Sequence, residues 1–193
     1  MINNLSSQIN ESIKTKKSLL KLSKDIEKII KIIYKKISSQ GKILICGNGG
    51  SAADAQHLVA EFVVKLRPHI HRKPISAISL VGDTSTITAC ANDYSFDQIF
   101  KRNLEAIGSK KDILLVISTS GNSKNILEVL KSAKKKGILS VGFLGSNGGI
   151  AKKYCDHKLI IDSKNVARIQ ESHIFLGHYI FEKVEDLVLK KRF

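Results

Sequence analysis

Five short apolar runs, at 42–46, 75–80, 113–117, 139–143 and 158–161, alternate with stretches whose apolar residues recur at helical spacing. Parallel strands need a crossover between them, and a helix supplies it. The pattern therefore predicts an α/β fold: a five-stranded parallel sheet flanked by helices in three layers, of the flavodoxin-like kind. In open sheets of this kind ligands sit beyond the carboxyl ends of the strands. The polar and glycine-rich turns of this chain fall at those ends.

Before the first strand, residues 2–39 carry a stripe of Leu19, Leu22, Ile26, Ile29, Ile30 and Ile33 between lysines, which reads as two helices or one broken near Ser23. Such an arm has no sheet of its own to cover, so part of its apolar face is expected on another subunit. The last segment, 167–191, reads as a long amphipathic helix, and 67–74 as an irregular surface loop. With 193 residues and 42% hydrophobic content, the chain is expected to form one domain over 1–193. Within it, 1–40 would be the helical oligomerisation arm and 41–193 the sheet core and C-terminal helix.

The net charge of +15 raises the question of nucleic acid. The lysines are scattered over the outer faces of predicted helices, with no interleaved aromatic residues to stack bases. A nucleic-acid partner is therefore not expected, whereas a phosphorylated metabolite is compatible with the charge. No run approaches the roughly 20 apolar residues that cross a bilayer, and Met1-Ile-Asn-Asn-Leu5 lacks the start of a signal peptide. No membrane partner and a cytoplasmic location are expected. Cys46, Cys90 and Cys155 are widely spaced and suggest neither disulfides nor a cysteine zinc knuckle.

The stretch from Cys46 to Glu61 holds a strand end, a turn with Gly47, Gly49 and Gly50, a helix start with Ser51 at the expected N-cap, and His57 and Glu61 at i and i+4. Free N–H groups of the first helical turn favour an anionic or hydroxyl-rich ligand there. The third strand runs into Ser118-Thr-Ser-Gly-Asn-Ser123, whose hydroxyls and helix start suit a phosphate dianion. No Walker A loop is present, which argues against a nucleotide kinase. Gln170 and His178 open and continue the last helix; with His57 and Glu61 they would supply two imidazoles, a carboxylate and an amide oxygen, a set suited to zinc.

Eight residues separate Gln170 from His178, about 12 Å along a helix axis. Either Gln170 lies in a bent first turn or the site gathers side chains from two subunits, the second being the working expectation. Asn92-Asp93 alone reads as a turn. His69, His71, His157 and His173 carry no partner pattern.

Together, Asn48-Gly-Gly-Ser51, Asp54-Ala-Gln-His57 with Glu61, Ala91-Asn-Asp-Tyr94, Ser118-Thr-Ser-Gly-Asn-Ser123 and Ala167-Arg-Ile-Gln-Glu171 with His178 resemble the phosphoheptose isomerases, enzymes of a single sugar isomerase (SIS) domain. The resemblance covers nearly the whole chain. It implies a homotetrameric cytosolic enzyme with sites at subunit interfaces and one zinc ion per subunit. The implied reaction converts sedoheptulose 7-phosphate to D-glycero-D-manno-heptose 7-phosphate, the entry to heptose for lipopolysaccharide or capsule. By matching position, Asn48, Gly49, Gly50, Asn92 and Asp93 would contact the sugar, with Ser51 assisting. Ser118, Thr119, Ser120 and Ser123 would hold the phosphate. His57, Glu61, Gln170 and His178 would bind zinc, Glu61 and Gln170 also touching substrate. Glu61 would be the base for carbon and His178 the acid for oxygen, through an enediol. Competing readings are a noncatalytic relative that binds the replication initiator, an isomerase of another ketose phosphate, and a sugar-phosphate-sensing regulator. The first lacks the acid–base pair that this chain keeps, and the last would need a helix-turn-helix module that is not seen.

Overall fold

The computed structural model describes residues 3–190. Five strands, β1 (Ile43–Gly47), β2 (Ala77–Ser79), β3 (Ile113–Ser118), β4 (Leu139–Gly145) and β5 (His157–Ile161), form one parallel sheet in the order β2-β1-β3-β4-β5. Every residue of β1 and β3 is buried, as strands covered on both faces must be. The edge strand β2 is shorter than the expected 75–80, which fits the Pro74 at its entry.

The helices are α1 (Asn3–Ser18), α2 (Ser23–Ser38), α3 (Gly50–Val63), α4 (Thr84–Asp93), α5 (Ile99–Ile107), α6 (Lys124–Lys135) and α7 (Val166–Lys190), with a 3-10 turn over Leu19–Leu22 joining the first two. Ile2 and Lys191, at the ends of the expected helical segments, lie outside the described residues. One face of the sheet is covered by α2, α3 and α7, which bury Ile26, Ile29, Ile33, Leu58, Phe62, Ile180 and Phe181. The other is covered by α5 and α6 through Phe100, Leu104, Ile126, Val129 and Leu130, with Cys90 of α4 beside them.

The expected arm over 1–40 divides between its two helices. Ile26, Ile29, Ile30 and Ile33 of α2 are buried in the chain's own core, against β5 and α7, so α2 is part of the three-layer domain. α1 lies outside this core, against α7, and turns its polar row inward. Arg168 donates to the Gln8 carbonyl at 2.8 Å, Asn165 to Glu11 at 2.9 Å, and Ser12 to Glu171 at 2.8 Å, so the polar row faces α7. Leu5, Ile9 and Ile13, one turn apart in succession, are 63%, 51% and 46% exposed.

Between α3 and β2, the segment expected as a surface loop carries a buried ion network. Arg67 and Arg72 both donate to Glu185 of α7, and Arg67 also reaches Asp186 at 2.7 Å. The side chains of Arg72 and Glu185 are each 1% exposed. Arg72 further donates to the carbonyls of Glu61 and Phe62 at 2.8 Å each, satisfying orphan acceptors at the end of α3. The loop thereby locks the end of α3 to α7.

Candidate active site at the carboxyl end of the sheet

After β1 the chain turns into α3 within two residues. Gly49, at φ +56° and ψ −123°, is the N-cap, a conformation side chains rarely adopt. A Cβ on Gly50 would come within 2.5 Å of the Gln170 amide nitrogen. Ser51 therefore does not cap the helix as expected. It is buried in the first turn, where its N–H donates to the Asn48 carbonyl at 3.0 Å. The N–H groups of Ala52 and Ala53 also bond back to Gly49, so these three are not free for a ligand. What this turn offers a ligand comes chiefly from its glycine backbone and Asn48.

α3 and α7 lie side by side and run the same way. Gln170 meets Gly50, Gly177 meets Leu58, and Phe181 stacks on Phe62 with ring centroids 3.8 Å apart. A Cβ on Gly177 would fall 2.6 Å from a Leu58 methyl, so this glycine sets how closely the helices approach. That register brings three expected site residues together. His57 Nε2 lies 2.8 Å from His178 Nε2 and 3.2 Å from Glu61 Oε1, and all three donor atoms fall within 4.8 Å of one another.

The donor set fits zinc. Ligands about 2.0–2.2 Å from a tetrahedral ion stand roughly 3.3 Å from each other, close to the spacing found. Two imidazole nitrogens and a carboxylate oxygen are ordinary zinc donors, and a three-ligand set leaves a position for substrate. Burial pulls the His178 pKa below the ordinary histidine range, helped by His57 and opposed by Glu61, which favours the neutral imidazole that binds metal. His57 is exposed and the other two partly so; the group opens to the surface of the chain.

One chain supplies His57, Glu61 and His178, so these three need no side chain from a second subunit. Gln170 is the member left apart. Its amide rests at Gly50, about two turns up α7 from His178, which is the separation the helical rise requires.

The second loop follows β3. Ser118 is buried and its Oγ accepts the Gly121 N–H at 3.0 Å, while Ser120 Oγ accepts that of Asn122 at 3.2 Å. Gly121, at φ +64°, lies against Gly148, where a Cβ would be 2.2 Å from the carbonyl oxygen. Ser123 is the N-cap of α6, and its side chain makes no capping bond. Ser118 therefore shapes the loop from beneath, whereas Thr119, Ser120 and Ser123 are on its more accessible side. Asn92 and Asp93 are exposed in the last turn of α4 and hydrogen-bond to each other at 2.8 Å.

Two further residues lie at the site beyond those expected to act in it. Asn125, buried in the first turn of α6, makes two reciprocal 2.8 Å hydrogen bonds with Asn48. A polar residue in an apolar helical stripe was the only clue to it. Asp54, one turn before His57, has Oδ2 buried without a partner; burial lifts its pKa above the usual carboxylate range, against the pull of His57. Its spacing from His57 and Glu61 on one helix was visible.

His173 of α7 is fully buried with neither ring nitrogen hydrogen-bonded. Burial pulls its pKa down to about 4, the backbone near Leu144 opposing this through an approach too loose to form a hydrogen bond. An unfolded histidine titrates near 6.5, so between pH 6.5 and 4 the unfolded chain holds a proton that the native chain does not. The contribution of neutral His173 is complete above pH 6.5 and lost as pH falls, by at most about 3 kcal/mol. Urea unfolding at several pH values should show a shallower acid slope for His173→Leu than for the unaltered chain. Equal slopes would reject this assignment.

A family model described as the SIS domain matches residues 7–145. A phosphoheptose isomerase of Clostridium acetobutylicum is 47% identical over 188 residues, covering 96% of this chain and 95% of that one. One from Helicobacter pylori strain P12 is 45% identical over 170 residues, covering 88% of each. Among solved structures, a phosphoheptose isomerase from Francisella tularensis superposes with a TM-score of 0.91 at 33% identity, over 96% of this chain and 98% of that one. The Neisseria gonorrhoeae structure gives 0.89 at 35% identity, over 95% and 98%. The fold, the glycine and serine turns and the histidine–glutamate group sit within this likeness: the chain belongs to the phosphoheptose isomerase family of SIS domain proteins.

Proposed function

We propose that the chain is an aldose–ketose isomerase converting sedoheptulose 7-phosphate to D-glycero-D-manno-heptose 7-phosphate, the first step toward heptose for lipopolysaccharide or capsule. The observation that carries this reading is the convergence of His57, Glu61 and His178 at the carboxyl end of the sheet, in a chain whose relatives bear that activity in their names. The phosphate rests on Thr119, Ser120 and Ser123, with Ser118 holding the loop in shape. Asn48, Gly49 and Gly50 receive the sugar hydroxyls, supported by Ser51, and Asn92 and Asp93 approach from α4.

Moving the carbonyl from C2 to C1 requires a proton to leave C1 and one to return to C2. The Glu61 carboxylate takes the first and returns it to C2 of the enediol. His178 carries the proton exchanged between the two oxygens. Zinc, one ion per subunit, held by His57, Glu61 and His178 with Gln170 completing the set, would polarise the carbonyl and ease the charge that develops on oxygen. Because this chain's own Gln170 stays at Gly50, the Gln170 that completes the set and also touches substrate comes from a neighbouring copy.

The reading also includes a cytoplasmic homotetramer with its sites at subunit interfaces, acting on a sugar phosphate and not on nucleic acid or membranes. Among the described residues no helix is long and apolar enough to cross a membrane. The outward row of Leu5, Ile9 and Ile13 supports self-association, as does a groove of about 350 Å³ lined by Leu19, Leu20, Phe175 and Tyr179. Replacing Leu5, Ile9 and Ile13 by Glu should reduce the assembled mass in light scattering while leaving the helical circular dichroism nearly unchanged. An unaltered mass would exclude this face as the contact.

The decisive assay incubates the protein with ketose phosphates of five, six and seven carbons, with and without added zinc, and follows aldose formation. Turnover of the heptulose phosphate is expected to exceed that of the others. Turnover of a shorter ketose phosphate alone, or of none, overturns the proposal.

A further inference from the structure

The two loops that would grip opposite ends of a sugar phosphate leave the sheet on opposite faces, α3 after β1 on one and α6 after β3 on the other. β1 and β3 are neighbours, so the loops flank the crevice at the point where the strand order reverses. The pairing of β1 with β3 fixes the floor of this crevice as far as Gly47 and Ile117, but not the spread of the loops above it. Here one contact crosses it. Asn48 Nδ2 donates to Asn125 Oδ1 and Asn125 Nδ2 donates to Asn48 Oδ1, each at 2.8 Å. Asn125 is 2% exposed and follows Lys124 at the start of α6; Asn48 sits in the glycine turn.

A reciprocal amide pair differs from a single hydrogen bond. Its two parallel bonds fix orientation as well as distance, and burial makes either partner costly to leave unpaired. Each amide still keeps one N–H and one lone pair unspent, so Asn48 can hold Asn125 and still present a polar group to a ligand. The phosphate loop is secured from its other side, since Asn122 Oδ1 accepts the Ile150 N–H at 2.9 Å and the Gly121 carbonyl accepts that of Ala151 at 2.8 Å. The phosphate loop and the start of α6 are therefore held on both sides, by Ile150 and Ala151 on one and by Asn48 on the other.

We propose that Asn125 is a positioning residue that determines specificity: by tying α6 to the glycine turn through Asn48, it fixes the span between the phosphate loop and the reacting carbons at Glu61 and His178. A fixed span selects a sugar phosphate by the number of carbons between its phosphate and its carbonyl. This rests on the isomerase reading given above. Asn125 itself touches neither end of the substrate.

The test uses the full-length protein with Asn125→Asp, which sets a carboxylate oxygen against Asn48 Oδ1, and Asn125→Leu, which removes both bonds. Asn125→Ser, whose small side chain leaves room for a bridging water, is the variant chosen to fold if the others do not. Steady-state rates on ketose phosphates of five, six and seven carbons are measured beside competitive inhibition by inorganic phosphate. The expected result is a fall in kcat/KM on the chain length preferred by the unaltered protein of about ten- to a hundredfold, a smaller fall on the other lengths, and inhibition by inorganic phosphate within about threefold of the original. Equal losses on all chain lengths with phosphate inhibition weakened in step would make Asn125 a part of the phosphate loop only and overturn the proposal. Unchanged discrimination in all three variants would overturn it as well. If the unaltered protein prefers a length other than seven carbons, the isomerase assignment to heptulose fails, while the span test proceeds on the preferred length.

Discussion

Glu61→Gln is expected to lower kcat on sedoheptulose 7-phosphate by about 10²- to 10⁴-fold, the usual worth of a general base. The amide keeps the size and most of the packing of a side chain that is 16% exposed, but it cannot accept a proton from carbon. His178→Gln is expected to fall in the same range, and the double variant to be little worse than either single one, because groups that act as a unit are strongly non-additive. Both residues are also proposed metal donors, so zinc content must be measured on each purified variant beside its rate. A Glu61→Gln protein that holds zinc and is inactive isolates the loss of the base. One that retains full turnover would remove Glu61 from the mechanism.

Arg72→Met should be the most damaging substitution away from the reacting atoms. It strips the buried Glu185 of one of its two arginine partners and takes the Arg72 donor from the Glu61 and Phe62 carbonyls, leaving Phe62 only the Ile75 N–H. Breaking a buried pair on one side costs about 3–5 kcal/mol, much of it from the charge left behind. The expected result is a loss of that order in urea unfolding, with zinc affinity weakened by about ten- to a hundredfold, as when a group supporting a metal ligand is removed. Arg72→Lys should recover only part of both, because an ammonium cannot present the planar fork that reaches Glu185 and two carbonyls together. Stability and zinc affinity unaffected by Arg72→Met would show that this network does not hold α3 to α7.

The strands were readable because a fully covered strand must be apolar throughout, as 43–46 and 113–117 are. What the stripe on α2 covers was not. An apolar face states that something packs there without saying whether it is the chain's own sheet or another subunit, and α2 chose the sheet while α1 did not. Ser51 misled for a local reason: serine is a common N-cap, but the two-residue turn needs a positive φ at the cap, and Gly49 provides it. The i, i+4 spacing of His57 and Glu61 placed them on one helical face directly. Bringing His178 to them depends on the packing of Gly177 on Leu58 and Phe181 on Phe62, distances that no local pattern encodes. Arg72 and Asn125 were harder still, since each acts through partners 113 and 77 residues away in the chain.

The pairing of α3 with α7 also bears on how the protein is made. His57 and Glu61 emerge from the ribosome early, whereas His178 belongs to the last helix described. A nascent chain that has completed its sheet still lacks the second imidazole, so it cannot close the three-donor group. A metal held by this group would therefore be captured late, with the docking of α7, and would favour the finished chain over every shorter intermediate.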